Sequence, residues 1–391
     1  MEFVTLGDLF KISSGGTPSR REKSYYDNGD IPWIKTGDLH KCRIQQASEY
    51  ITQLGLDKSS AKLFPKGTVL LAMYGATIGA CSILDIEAAT NQACAAFLPN
   101  EKVDTNYLYY FLISKKNDFI RDGVGGAQPN ISATYLKTVS FPLPPLETQK
   151  QIAAVLEKAD QLRKDCKLLE QELNSLAQSV FIDMFVGKDF PLVNLEDLAS
   201  NKKHALSSGP FGSALSSKHY TDEGVLVLRG LNTTKGKIDL SKTKYISQEK
   251  YEELKRSKLS VNDVVVVAVG SSGFAISIPD GFPEAVMSQN FNKISPNMDL
   301  IVPKYLEFAI NSSFVQRQFS REITDTVRTF LSLTKLKKVQ IPLPPLELQK
   351  QFLSTIKSIL KEEELNQEFV SEMDNCFSSL MQKAFKGELT L

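Results

Sequence analysis

The sequence predicts an α/β (α+β) chain. Two similar, mixed, sheet-rich globular domains are separated by two long helices forming an antiparallel coiled coil, with a pseudo-two-fold internal repeat. Three observations carry that expectation. FPLPPLETQKQ at 141–151 returns as IPLPPLELQKQ at 341–351, identical at nine of eleven positions and displaced by 200 residues. Each copy follows a long segment of β-branched and aromatic runs broken by Gly, Pro, Asn and Asp, the pattern of strands and turns. Each copy opens a stretch in which apolar residues recur at helical spacing. The expected division is 1–140, 141–188, 189–340 and 341–391.

The repeat reaches well upstream of the proline motif. Ser132, Thr134, Leu136, Lys137 and Val139 match Ser332, Thr334, Leu336, Lys337 and Val339 at the same offset. Further back, small insertions shift the register but landmarks persist. SSGGTPS (13–19) faces SSGPFGS (207–213), and GDIPWIKTGDL (29–39) faces EGVLVLRGLNT (223–233). GTVLLAMYGATIGA (67–80) faces DVVVVAVGSSGFA (263–275), and NQACAAFLPN (91–100) faces SQNFNKISPN (288–297). This is duplication of a whole domain plus a tail, not a short-period solenoid. Within the globular segments, 105–122 and 302–320 read as one helix each.

The tails read as helical rods. Leu146 to Val186 contains neither Pro nor Gly, and Leu162, Cys166, Leu169, Leu173, Leu176 and Val180 follow the alternating 4,3 spacing of a heptad seam. The second seam is expected at Phe352, Ile356, Ile359, Glu363, Asn366, Val370, Met373, Phe377, Leu380 and Ala384. Its polar members cost stability and select register. Forty helical residues span ~60 Å, long enough to act as a ruler between two heads. Leu168 beside Leu169, and Phe369 beside Val370, cannot share one narrow seam, so a wider apolar surface awaits further helices. Pro142, Pro144 and Pro145, with Pro342, Pro344 and Pro345, form the stiff joint from head to rod. They are expected to hold an extended segment that cannot continue a strand ladder, with Glu147 in the first helical turn favoured by the helix dipole.

Composition narrows the class. Apolar residues are 42% and charged residues 23%, ordinary for a soluble globular chain. No apolar run approaches a membrane span and no signal peptide is visible, so the expected location is cytoplasmic. Five scattered cysteines without C-x-x-C give neither a zinc site nor a disulfide framework. Net charges of +1, −1, +4 and −3 for the four segments leave the globular parts mildly basic, weak support for nucleic acid there. The sequence has no phosphate-binding G-x-x-x-x-G-K-[ST] loop, no G-x-G-x-x-G, no nucleophile elbow and no H-E-x-x-H.

The chain resembles the specificity (S) subunit of type I restriction–modification systems. The carrying motifs are LPPLETQKQIAAVL (143–156) and LPPLELQKQFLSTI (343–356). They are joined by SGGTPSR (14–20), IPWIKTGDL (31–39), YGATIGA (74–80), TNQACAAF (90–97), GAQPNIS (126–132) and AFKGEL (384–389). The second head departs from the pattern, with TVRTFLS (326–332) for GAQPNIS and VGSSGF (269–274) for YGATIG. The resemblance implies a non-catalytic subunit in which 1–140 and 189–340 are target-recognition domains, each reading one half of a bipartite double-stranded DNA site. It implies that the helices set the gap and dock two adenine-N6 methyltransferase (M) subunits. It further implies no cofactor in this chain: the M subunits bind S-adenosylmethionine, and motor-endonuclease restriction (R) subunits use ATP and Mg²⁺.

Base edges are read by Arg, Lys, Asn, Gln, Ser and Thr, and phosphates by Lys, Arg and backbone amides. The polar loops give Thr17, Ser19, Arg20, Lys35, Thr36, Tyr74, Thr77, Gln128 and Asn130 in the first head. In the second they give Ser213, Lys218, Arg229, Asn232, Ser271, Ser272, Arg328 and Thr329. Lys35 and Arg328 stand out as donors beside small neighbours. Any of these polar residues equally suits capping a turn, and Asn91 and Gln92 equally suit satisfying buried backbone. Two rival readings remain: a coiled-coil scaffold whose two heads bind proteins and not DNA, and an enzyme with unfamiliar motifs.

Overall fold

The computed structural model describes residues 2–124, 130–234, 237–269, 273–321 and 330–389. The chain forms two compact units, one built from Met1–Leu168 with Gln367–Leu391 and the other from Leu169–Asn366. Each unit therefore takes one head together with a portion of both long helices. The helices are continuous, Leu146–Phe185 and Leu346–Lys386, as their Pro- and Gly-free sequences require.

Among the described residues the first head holds a five-stranded sheet in the order Ser13–Ser14, Cys94–Phe97, Val69–Ala72, Cys81–Leu84 and Arg43–Ile44. A four-stranded sheet follows the order Glu49–Ile51, Ile31–Ile34, Ala88–Thr90 and Leu63–Phe64. The second head repeats both sheets. Leu206–Ser208, Phe291–Ile294, Val264–Val267 and Ala275–Ser277 make one; Tyr245–Ile246, Val225–Leu228, Ala285–Met287 and Lys258–Leu259 make the other. The heads differ at one sheet edge. In the first, Ile83 N–H donates to Cys42 O at 2.8 Å from a short parallel strand. In the second, side chains replace that strand: Glu307 accepts from Ser277 N–H (2.9 Å) and Asn311 accepts from Ala275 N–H (2.8 Å).

The two predicted head helices are each split. Thr105–Ser114 gives way to Lys116–Asp122 at Lys115, and Pro303–Asn311 to Ser313–Arg321 at Ser312. Ser312 is extended and buried, and its carbonyl accepts from Val315 and Gln316 N–H to start the second piece. Apolar periodicity continues across both breaks, which is why the pattern alone reads through them.

The long helices complete the head cores. In the first unit Ile152, Leu156, Phe377 and Ala384 pack with Tyr107, Phe111, Phe119 and Phe141. In the second, Phe181, Phe185, Phe352 and Ile356 pack with Tyr305, Leu306 and Ile310. Within each unit the helices run antiparallel. Arg163 and Lys167 meet Phe377 and Asp374 in the first, and Phe181 and Phe185 meet Phe352 in the second. The expected seam of the second helix is found, with Phe352, Ile356, Asn366, Phe377 and Ala384 buried. The expected seam of the first helix is not. Leu162, Leu169 and Leu176 are exposed, and the buried line runs through Leu156, Asp160, Ala177, Phe181 and Phe185. Asp160 is covered by Arg163 (2.5 Å) and Lys164 (2.6 Å), while Lys167 reaches Asp374 at 3.0 Å. Paired charges fill the place the leucine spacing was expected to fill.

Pro142 and Pro342 each end a strand, paired antiparallel with Phe3–Thr5 and with Leu192–Asn194. The two-strand ribbon tolerates the missing N–H at its edge, and each proline carbonyl accepts a buried tyrosine hydroxyl, Tyr107 (3.1 Å) or Tyr305 (2.9 Å). The motif's glutamines explain their own repetition. Gln149, fully buried, donates to Pro144 O and Lys102 O (both 2.9 Å) and accepts from Asp104 N–H (2.9 Å). Gln349 does the same with Pro344 O (2.8 Å), Leu300 O (3.0 Å) and Val302 N–H (2.8 Å). One amide in the first helical turn thus ties joint, helix and head together. Gln149→Ala leaves three backbone groups without their partner, one buried and two part-buried, and is expected to destabilise the protein by roughly 2–3 kcal/mol in denaturant unfolding. Lys150→Ala, which removes only an exposed pair with Glu147, is expected to cost less than about 0.5 kcal/mol.

Candidate nucleic-acid interface

In the first head Ile31–Ile34 and Ala88–Thr90 run parallel, so their C-terminal ends emerge together. They deliver Lys35 and the Asn91–Gln92 turn, and Asn91 N–H donates to Ile34 O at 3.0 Å. The SGGTPSR loop crosses this end. Gly16 N–H donates to Thr90 O (2.9 Å) and Trp33 Nε1 donates to Gly16 O (3.0 Å). A Cβ on Gly15 would collide with the Thr90 carbonyl, so the crossing demands glycine. Thr17 Oγ1 donates to Gln92 Oε1. Met73 N–H donates to Ala93 O (2.9 Å), Ile131 N–H to Met73 O (3.0 Å), and Tyr74 bridges Asn130. Hydrogen bonds thus stitch the loops carrying Thr17, Lys35, Gln92, Tyr74 and Asn130 into one surface.

Two cations on it share a carboxylate. Arg20 lies over the rings of Tyr26 (4.6 Å) and Trp33 (5.0 Å) and reaches Glu49 at 2.6 Å. Lys35 reaches the other oxygen of Glu49 at 2.5 Å. The Glu49 carboxyl is held below its usual range, first by the Lys35 hydrogen bond and then by Arg20, against partial burial. Both donors are thereby pre-positioned on one carboxylate, while Asp38 accepts from Lys35 N–H at 2.9 Å on the same turn. Ser19 is exposed and Thr36 half-buried on the same loops. Thr77 donates to Tyr74 O at 3.1 Å, which closes the YGAT turn and leaves its hydroxyl only acceptor capacity.

The second head builds the same frame. Ser288 N–H donates to Leu228 O (2.9 Å), Gly209 N–H to Phe291 O (2.8 Å) and Ala268 N–H to Asn290 O (2.7 Å); Leu331 N–H donates to Ala268 O (2.9 Å). A Cβ on Gly209 would strike the Ser288 carbonyl, as at Gly15. Arg229 takes the place of Lys35, and its Nη2 donates to Lys242 O at 2.6 Å. Ser213 and Lys218 are exposed on the neighbouring loops. Asn232 is a correction. It is 1% exposed, and its amide accepts from Arg229 N–H (3.2 Å) and donates to Asp239 O (2.9 Å) and Lys242 O (3.1 Å). With its hydrogen-bonding capacity spent on the loop, it does not face a ligand. Gln128, Ser271, Ser272, Arg328 and Thr329 lie outside the described residues. Gln92, which the sequence left between reading and satisfying backbone, meets Thr17 on this surface, and Glu49, which the sequence did not single out, joins it through Arg20 and Lys35.

Each head thus gathers polar loops over the end of one parallel strand pair, and the chain carries that arrangement twice. The family model described as "Type I restriction modification DNA specificity domain" matches residues 1–177 and 212–370, and the chain belongs to that family, with two target-recognition domains. It is 24% identical over 401 residues to the type I restriction enzyme MjaIX specificity subunit of Methanocaldococcus jannaschii, covering 98% of this chain and 92% of that one. Its fold is similar to the S subunit of the type I restriction–modification system from M. genitalium. That match has a TM-score of 0.54 at 15% identity, over 98% of this chain and 96% of that chain. A chain from a study of complex assembly and conformational transition of the type I R-M system matches with a TM-score of 0.58 at 16% identity, over 99% and 98%. The scaffold reading is not favoured.

Asn232→Ala leaves three loop backbone groups without their partner and is expected to cost roughly 2–3 kcal/mol. Lys218→Ala on the exposed neighbouring turn is expected to fall within about 0.5 kcal/mol of the parent. Chemical denaturation of both variants checks the contrast.

Proposed function

We propose that each head reads one half of a bipartite double-stranded DNA site, and that the long helices set the unread gap and dock two adenine-N6 methyltransferase subunits. The observation that carries this reading is the same glycine-crossed loop frame built twice in one chain, with different side chains on its tips. A shared frame with divergent tips is what two different half-sites require. Arg20, Lys35, Lys218 and Arg229 supply donors for phosphates and base edges. The exposed leucines 162, 169 and 176 of the first helix support docking of partner helices.

In this reading the chain binds no cofactor of its own. S-adenosylmethionine belongs to the methyltransferase subunits, and ATP with Mg²⁺ to restriction subunits that join them for cleavage. The assembly works in the cytoplasm, where its DNA is; no helix among the described residues is long and apolar enough to cross a membrane. The test is methylome sequencing of cells with and without the gene, which reads both half-sites and the gap. Absence of any gene-dependent, gapped methylation motif overturns the proposal.

Seven residues inserted at matched positions of both helices add ~10 Å of length, about three base pairs at 3.4 Å per step. The expected methylome shows a longer gap and unchanged half-sites.

A further inference from the structure

The two frames carry opposite chemistry at equivalent tips. In the first head the loop tips are Thr17, bonded to Gln92, and Gly37, where a Cβ would meet nothing within 4 Å. The corresponding positions of the second head are Phe211 and Leu231. Phe211 is 66% exposed and Leu231 73% exposed, among the most exposed large apolar side chains described. Neither is loosely placed. Phe211 follows Pro210 and Gly209, which passes too close to the Ser288 carbonyl to admit a Cβ, and precedes Gly212 at φ +58°. Leu231 sits in a 3₁₀ turn, Gly230–Asn232, whose buried Asn232 pins it to the 239–242 segment. Gly230 in turn lies beside Asn290, so both tips flank the 288–290 turn.

Exposed apolar side chains on a held backbone cost solvation in the free protein, and among the described residues of the second unit nothing covers these two. They belong to the surface whose first-head counterpart is polar and cationic, which makes DNA their occupant. The apolar feature that a base pair offers in the major groove is the thymine 5-methyl group. We propose that the second head reads its half-site partly by packing Phe211 and Leu231 against thymine methyls, while the first head reads by hydrogen bonds donated by Gln92 and Lys35 and accepted by Thr17 Oγ1. This assignment rests on the DNA-reading function proposed above and names the chemistry of one of its half-sites.

The test uses the chain in complex with its methyltransferase subunits and duplexes carrying the methylome-defined site. Each thymine in turn is replaced by deoxyuridine, which removes only the methyl. A head exchange assigns each half-site to its head. Burying one methyl corresponds to roughly fourfold in affinity. The expected result is a loss of that size at one or more thymines of the second-head half-site. It should vanish in Phe211→Thr or Leu231→Gly, the residues of the first head. Both positions are exposed, so unchanged thermal unfolding of the variants is the control for folding. Deoxyuridine without effect throughout the second-head half-site overturns the proposal, as does an equal effect in parent and variants. Loss of methyltransferase co-purification in Phe211→Thr also overturns it, by assigning the tips to a protein contact. Failure of the underlying function looks different: no sequence-specific binding to any duplex.

Discussion

The buried glutamine amide at the start of each long helix is the constraint on which the architecture depends. Gln149 and Gln349 each hold three backbone groups: one at the end of the proline segment and two at the edge of the head. A side chain in the first turn of a helix cannot satisfy all three unless helix axis, joint and head adopt one mutual angle. The tyrosine hydroxyls on Pro142 and Pro342 repeat the constraint from the head's side. Aromatic packing then turns that angle into a shared core, with Phe352 against Tyr305 and Phe385 against Tyr107. The joint is stiff because it is hydrogen-bonded and buried; its prolines contribute an extended backbone that leaves their carbonyls free to accept.

Much of this was legible in the sequence, because a repeat at fixed offset is a statement about structure twice over. The strand segments, the continuity of both helices and the joint positions all follow from it. The seam of the first helix was misread because leucines outweigh charges in any apolar pattern. Carrying the second seam back by 200 residues would have placed Arg163, Glu170 and Ala177 on the line in place of Leu162, Leu169 and Leu176. Asp160 shows why burial and hydrophobicity part company here: two cations one turn away neutralise it, so a carboxylate can occupy a covered position.

The site was legible in outline and not in detail. Polar loops point to the recognition surface, but whether a side chain is offered or consumed depends on partners distant in sequence. Thr17 meets Gln92 across 75 positions, and Arg20 and Lys35 converge on Glu49. Asn232 looks like a reader from its loop and is a brace in its fold. Phe211 and Leu231 escape a search for polar groups altogether, and only alignment with Thr17 and Gly37 shows that they stand on recognition tips.

The make-up of the two units has a consequence for synthesis. The second unit, Leu169–Asn366, is one uninterrupted stretch and holds all its core residues once its last helical turns have left the ribosome. The first unit is not. Its head is made before the second unit, yet Phe377, Ala384 and Phe385, which pack on Tyr107, Tyr110 and Phe111, are made only after it. The head translated first is thus completed last. Until then Tyr107, Phe111 and the apolar side of the first helix wait without their cover, an interval in which a nascent chain depends on slow aggregation or on chaperones.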